Sequence, residues 1–190
     1  MLNLKKNDVL DLTKKNPGLT SLMLGAGWDV VKKGFFSFQA DYDLDLMALL
    51  LDKNGRVTGK SSLIYYGNQR GTGIYLHGDN RTGEGEGDDE KISVSLDKVP
   101  NECSKIIFAV TIYQAKSRKQ SFAKVRNAYV RLLDEGQNSR EICKFNLTDD
   151  GGENTAIVFA ELVRDGAEWQ FKAIGKLMDA SIQTLFESYK

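Results

Sequence analysis

KISVSLDKV, residues 91–99, alternates apolar Ile92, Val94 and Leu96 with Lys91, Ser93, Ser95 and Asp97. Period-two alternation is the pattern of a strand with one face in a core and the other in water. EWQFKA at 168–173 repeats it, with Trp169, Phe171 and Ala173 on one face, and follows Asp165-Gly166, a hairpin turn pair. Three continuous apolar runs, LMALLL at 46–51, IIFAVTI at 106–112 and AIVFAELV at 156–163, have strand length and read as central strands covered on both faces. LNLKK and LDLTKK near the N-terminus read as a small hairpin, closed off by Asn16-Pro17-Gly18. Helical patterns are confined to residues 121–127 and 179–190. Many short strands with Gly and Asn turns and only two Pro predict a mainly all-β fold, a two-sheet antiparallel β-sandwich with one or two short helices.

At 190 residues and 41% apolar composition, the chain suits one domain spanning 1–190. It contains no membrane-length apolar run and no signal-peptide block near its start, so the expectation is a cytoplasmic protein. The balance of 26 basic against 26 acidic residues provides no basic face for nucleic acid. Cys103 and Cys143 follow no disulfide or metal spacing and read as buried, inert thiols.

Against this neutral background, DNRTGEGEGDDE at 79–90 packs six carboxylates and three glycines around the single Arg81. Upstream, Asp41, Asp43 and Asp45 alternate in ADYDLDLMA and would share one face of a strand. Same-face carboxylates about 6.6 Å apart repel by roughly 2.5 kcal/mol at an effective dielectric of 20, and the neighbouring sequence supplies no matching cation. Joined, the two segments would form a bipartite site that one or two divalent ions could occupy. Oxygen-only donors select a hard cation, and a glycine-rich loop able to offer six to eight ligands suits Ca²⁺ better than Mg²⁺. Asp79, Asp88, Asp89 and Glu90 are the expected loop ligands, with Asp43 and Asp45 on the strand and Asp41 beside them. The spacing is not that of an EF-hand.

Catalytic patterns are sparse. The chain has one histidine, His77, and lacks a GxSxG elbow, a phosphate-binding GxxxxGK[ST] loop and a dinucleotide GxGxxG in strand-turn-helix context. His77 lies two residues before Asp79 and reads as structural or as support for an ion site. The expectation is a non-enzymatic protein. A C2-like sensor, with calcium bridging the loops to anionic lipid, is an alternative in which Phe35, Phe36 and Phe38 could insert, although these phenylalanines read first as core. A calcium-assisted hydrolase would depend on His77 and the dense carboxylates.

GWD at 27–29, DYDLD at 41–45, YYGN at 65–68, HGDNRTGEGEGDDE at 77–90, QSFAKVRNAYVRLLD at 120–134 and TAIVFAELVRDGAEWQFKAIG at 155–175 together resemble the TerD family. The resemblance covers essentially the whole chain. It implies a bacterial calcium-binding β-sandwich of a stress-response and tellurite-resistance system, with genetic links also to phage inhibition and colicin resistance. The implied partners are other tellurium-resistance proteins, including a TerC-type membrane protein, so that any membrane contact would be peripheral. The family's acidic motifs carry over to Asp41, Asp43, Asp45, Asp79, Asp88, Asp89 and Glu90, with Asp29, Asn68 and Asn80 as further oxygen donors. The chain departs from the family pattern at Gly67, where relatives can carry Asn, and at Ala123, where Gly is usual.

Overall fold

In the computed structural model, which describes residues 2–29, 42–78, 87–146 and 152–190, the strands sort into two sheets. In chain order they are β1 (Leu2–Asn3), β2 (Val9–Asp11), β3 (Ser21–Asp29), β4 (Leu44–Leu51), β5 (Leu63–Ile64), β6 (Arg70–Gly71), β7 (Ile74–Leu76), β8 (Glu90–Ser95), β9 (Lys105–Ile112), β10 (Arg126–Asp134), β11 (Arg140–Asn146), β12 (Ala156–Asp165) and β13 (Glu168–Met178). The first sheet runs β1-β11-β10-β3-β8-β7-β6 and the second β2-β13-β12-β9-β4-β5. Every pairing between these strands is antiparallel except that of β1 with β11.

The alternating segment at 91–99 supplies β8, with Ile92 and Val94 buried and Lys91, Ser93 and Ser95 half-buried. β12 and β13 form the hairpin expected at Asp165-Gly166, and Gly166 takes the left-handed conformation (φ 60°) that the turn needs. The three apolar runs become β4, β9 and β12, adjacent in the second sheet. Their inward residues, among them Leu44, Leu46, Phe108, Val110 and Phe159, meet Leu22, Leu24 and Ile92 of the first sheet in the main core. Their outward residues Met47, Leu49, Ile107, Ala109 and Val158 form a second apolar cluster, covered by Leu185 and Phe186 of a C-terminal helix (Ile182–Glu187). Full burial of each such side chain stabilises by about 1.5–3 kcal/mol, so an apolar outer face needs this cover. Ser181 caps the helix by accepting from the Thr184 N–H, and the Thr184 hydroxyl accepts from the Ser181 N–H in return.

Two local expectations are corrected. The N-terminal segments do not form a hairpin: β1 joins β11 in the first sheet and β2 joins β13 in the second. Residues 4–8 cross the seam between the sheets, with Leu4 N–H donating to the Lys144 carbonyl and Asn7 N–H to that of Ala173. Residues 121–127 make one turn, a 3-10 turn at Phe122–Lys124, before the chain enters β10, and a short α-helix forms instead at Ala115–Arg118, outside the segments with helical patterns. In β10 the alternation of Ala128, Val130 and Leu132 into the core overrides the local helical preference. Phe35, Phe36 and Phe38 lie outside the described residues.

Candidate functional site

The three consecutive acids that close the glycine-rich segment point to three different partners. Asp88 lies over the outer face of the first sheet, where Arg131 grips it with two hydrogen bonds, Nε to Oδ1 at 2.7 Å and Nη2 to Oδ2 at 3.0 Å. The Asp88 side chain is 1% exposed and that of Arg131 29%. Tyr129 OH lies 3.2 Å from Asp88 Oδ1 and 3.0 Å from the Gly87 carbonyl, while Arg131 Nη1 also reaches Glu141 Oε2 at 3.3 Å. The seat exists because the facing strand has no side chains there. Gly25 is in register with Arg131 and Gly27 with Tyr129, and a Cβ at these glycines would fall 2.3 Å from Asp88 Oδ2 and 2.6 Å from Tyr129 OH. Burial, followed by the Asp88 charge, pushes the Tyr129 phenol up to about 12.

Asp89 stays at the end of β3. Its Oδ2 accepts from Trp28 N–H at 2.9 Å, and its own N–H donates to the Ala26 carbonyl at 2.8 Å. Burial raises its pKa; the Trp28 bond opposes this, and the nearby Asp88 and Asp29 carboxylates add to it. Glu90 turns inward, is 2% exposed, and its Oε2 accepts from Leu46 N–H at 2.5 Å. That bond ties the first strand after the acidic loop to β4, one residue beyond Asp45.

Asp45 is buried and sits in register with Thr111. The Asp43 carbonyl accepts from Tyr113 N–H at 2.8 Å. The Tyr66 phenol is pushed up by burial first, then by the Asp45 carboxylate, by Tyr113 and Tyr65, and least by Asp43. Tyr66 packs edge-on against Tyr65 and Tyr113, with ring centroids 5.0 and 5.9 Å away. Asp43, Asp45, Asp89 and Glu90 therefore belong to neighbouring strand ends bridged by the Glu90–Leu46 bond. Asp88 is drawn aside by Arg131.

Asp29 is exposed at the end of β3 and accepts from Asn127 Nδ2 at 2.5 Å. Asn68 braces a turn through Nδ2 to the Leu63 carbonyl at 2.7 Å. Asp41, Asp79 and Asn80 lie outside the described residues. Among the described residues, no three His, Cys, Asp or Glu side chains close around a common point as metal ligands do. The carboxylates at β4 and β8 offer oxygen donors, the chemistry of a hard cation, and the described ones alone do not complete a coordination shell.

His77 Nε2 contacts Ser93 Oγ at 2.7 Å, while Ser93 Oγ donates to Glu135 Oε1 at 2.7 Å. With its hydrogen directed at the carboxylate, the Ser93 hydroxyl is left to accept from the Nε2–H of His77. The imidazole is thus not oriented to take the serine proton, the reverse of a Ser-His-acid relay. Both cysteines are buried, and burial raises both thiols, that of Cys143 to about 12. The sequence reading missed Arg131, Tyr129, Gly25 and Gly27. The pair of alternating glycines in GAGWD, inside a strand, was the available clue to a close approach.

A family model described as the TerD domain matches residues 1–189. The chain belongs to the TerD family. It is 42% identical to the tellurium resistance protein TerD of Serratia marcescens over 177 residues, covering 92% of this chain and 90% of that protein. It is 41% identical to the stress response protein SCP2 of Bacillus subtilis (strain 168) over 198 residues, covering 99% and 98%. A solved homologue of telluride resistance protein (TerD) from Streptomyces coelicolor A3(2) superposes with a TM-score of 0.68 at 22% identity, covering 89% of this chain and 95% of that one. At that identity the likeness concerns the fold of TerD proteins alone. Among the described residues, no helix is long and apolar enough to cross a membrane.

Proposed function

We propose that this chain is a non-enzymatic calcium-binding protein of a bacterial stress-response and tellurite-resistance system, in which bound Ca²⁺ organises a surface for protein partners. The observation that carries the reading is the Glu90–Leu46 bond, which brings the end of the acidic segment against the start of β4, where Asp45 lies and which Asp43 directly precedes. Asp43, Asp45 and Asp89 would hold the ion together with Asp41 and Asp79, and Glu90 would fix the spacing of β8 from β4. The ion would supply positive charge between carboxylates that otherwise repel. Asp88, committed to Arg131, would serve as an anchor for the loop. The partners would be other tellurium-resistance proteins, a TerC-type membrane protein among them, meeting this protein in the cytoplasm.

Thermal unfolding with added Ca²⁺, Mg²⁺ or chelator tests the reading. Calcium at about a hundred times its dissociation constant adds about 2.7 kcal/mol, or roughly 5–10 °C in Tm for a chain of this size. Asp45→Asn and Asp89→Asn should abolish the shift. If neither ion raises Tm, the acidic segment is only solvated charge and the proposal fails. Pelleting with anionic vesicles only in calcium would replace the protein-partner role with the membrane-sensor one.

A further inference from the structure

At the edge of the sandwich where β1 and β11 face β13, a crevice of about 440 Å³ opens between the sheets. Its walls include Leu4, Phe145, Ile157 and Leu177, and Gly175 lies among them. Gly175 adopts φ 58°, and together Ile174 and Gly175 stand opposite the single Phe159 of β12, a bulge in the hairpin. A Cβ at position 175 would come within 3.0 Å of the Phe145 ring, so the glycine leaves Phe145 in place and the crevice open.

The rim has the opposite character. Lys5 and Lys6 border the crevice on the segment that crosses the seam, and none of the described residues lining it is acidic. The Lys6 Cδ lies 3.8 Å from where a Gly175 Cβ would stand, which sets the lysine stem along the mouth. Asp8, the carboxylate close in sequence, accepts from the backbone N–H of Lys5 at 2.7 Å. Lys144 also lines the crevice, but its ammonium sits 3.8 Å from the Tyr129 ring centroid. Two of the three large apolar side chains exposed among the described residues, Leu2 at 46% and Val9 at 55%, flank this same crossing. An apolar slot under a cationic lip, in a chain of zero net charge, selects a ligand with both features.

We infer that this crevice binds an anionic amphiphile, an apolar chain whose phosphate or carboxylate head rests on Lys5 and Lys6 while the chain enters between Phe145, Ile157 and Leu177. The crevice lies apart from the strand ends that carry Asp43 and Asp45, because β12 and β9 separate β13 from β4 in the second sheet. Its occupancy should therefore be the same in calcium and in chelator, and its failure would leave the calcium reading untouched.

Calorimetry with monomeric dodecyl phosphate, combined with amide chemical shifts, reads the inference directly. One saturable site is expected, with shifts centred on Phe145, Gly175 and Leu177. The double variant Lys5→Glu/Lys6→Glu, made at exposed positions, should bind about tenfold or more weakly with unchanged thermal unfolding. Leu177→Phe, which narrows the slot, should weaken binding without touching the charges. Dodecyltrimethylammonium should not compete. Absence of saturable binding, shifts that map elsewhere, or equal affinity in the lysine variant would each overturn the assignment. Binding to phosphatidylglycerol vesicles without binding of the monomer would also overturn it, since the crevice would then not receive the chain.

Discussion

Replacing Arg131 by Leu would deprive the Asp88 carboxylate, 1% exposed in the wild type, of both guanidinium bonds, while the contact with Tyr129 OH at 3.2 Å stays. Breaking a buried pair from one side costs about 3–5 kcal/mol, because the remaining charge has lost its water and its partner. Arg131 itself is 29% exposed, so part of the pair is hydrated and the lower end, about 3 kcal/mol, is expected. For a chain of 190 residues that corresponds to a fall in Tm of about 6–12 °C. The measurement is urea unfolding in chelator, comparing the wild type, Arg131→Leu, Asp88→Asn and the double variant. Asp88→Asn should cost less than Arg131→Leu, because a lone guanidinium at the sheet surface can turn to water. The double variant should recover part of the loss, giving a coupling of about 1–3 kcal/mol. A loss below about 1 kcal/mol for Arg131→Leu, or strict additivity in the cycle, would show that the pair does not anchor the loop.

Gly25→Ala should destabilise by about 1–3 kcal/mol in the same unfolding assay, because the new Cβ would overlap an Asp88 carboxylate that Arg131 holds in place. Cys143, raised to about 12, would be thiolate in only about one molecule in ten thousand at pH 8. A disulfide reagent should leave it unmodified in the folded protein and react once denaturant is added; fast native reaction would refute the burial argument. Asp52 has its pKa lowered, chiefly by the Arg56 backbone N–H and further by Asn54. Its folded value therefore lies below its unfolded one, so its contribution to stability is present above the unfolded pKa and is lost as pH falls through the folded pKa. Protection factors in the 52–56 turn, corrected for the intrinsic pH dependence of amide exchange, should fall on that acid limb in the wild type, and Asp52→Asn should remove that fall.

The amino-acid sequence by itself determined the sandwich. Period-two alternation at 91–99 and 168–173 and the three continuous apolar runs hold enough local information to assign a half-buried or a doubly covered strand, because side-chain direction along a strand depends only on position. It also identified the two acidic segments, since excess charge is a compositional property. Tertiary structure decided how that charge is used. Asp88, Asp89 and Glu90 are consecutive, and nothing local distinguishes them. Their different fates depend on Arg131, Trp28 and Leu46, residues 43, 61 and 44 positions away in the chain. The edges were equally hidden. β1 and β2 are two and three residues long, too short for alternation to say which sheet each joins, and the main-chain bonds to Lys144 and Ala173 settle it. Patterning is local and survives in the sequence, whereas charge pairing and edge pairing are contacts between distant segments that exist only once the sheets have packed.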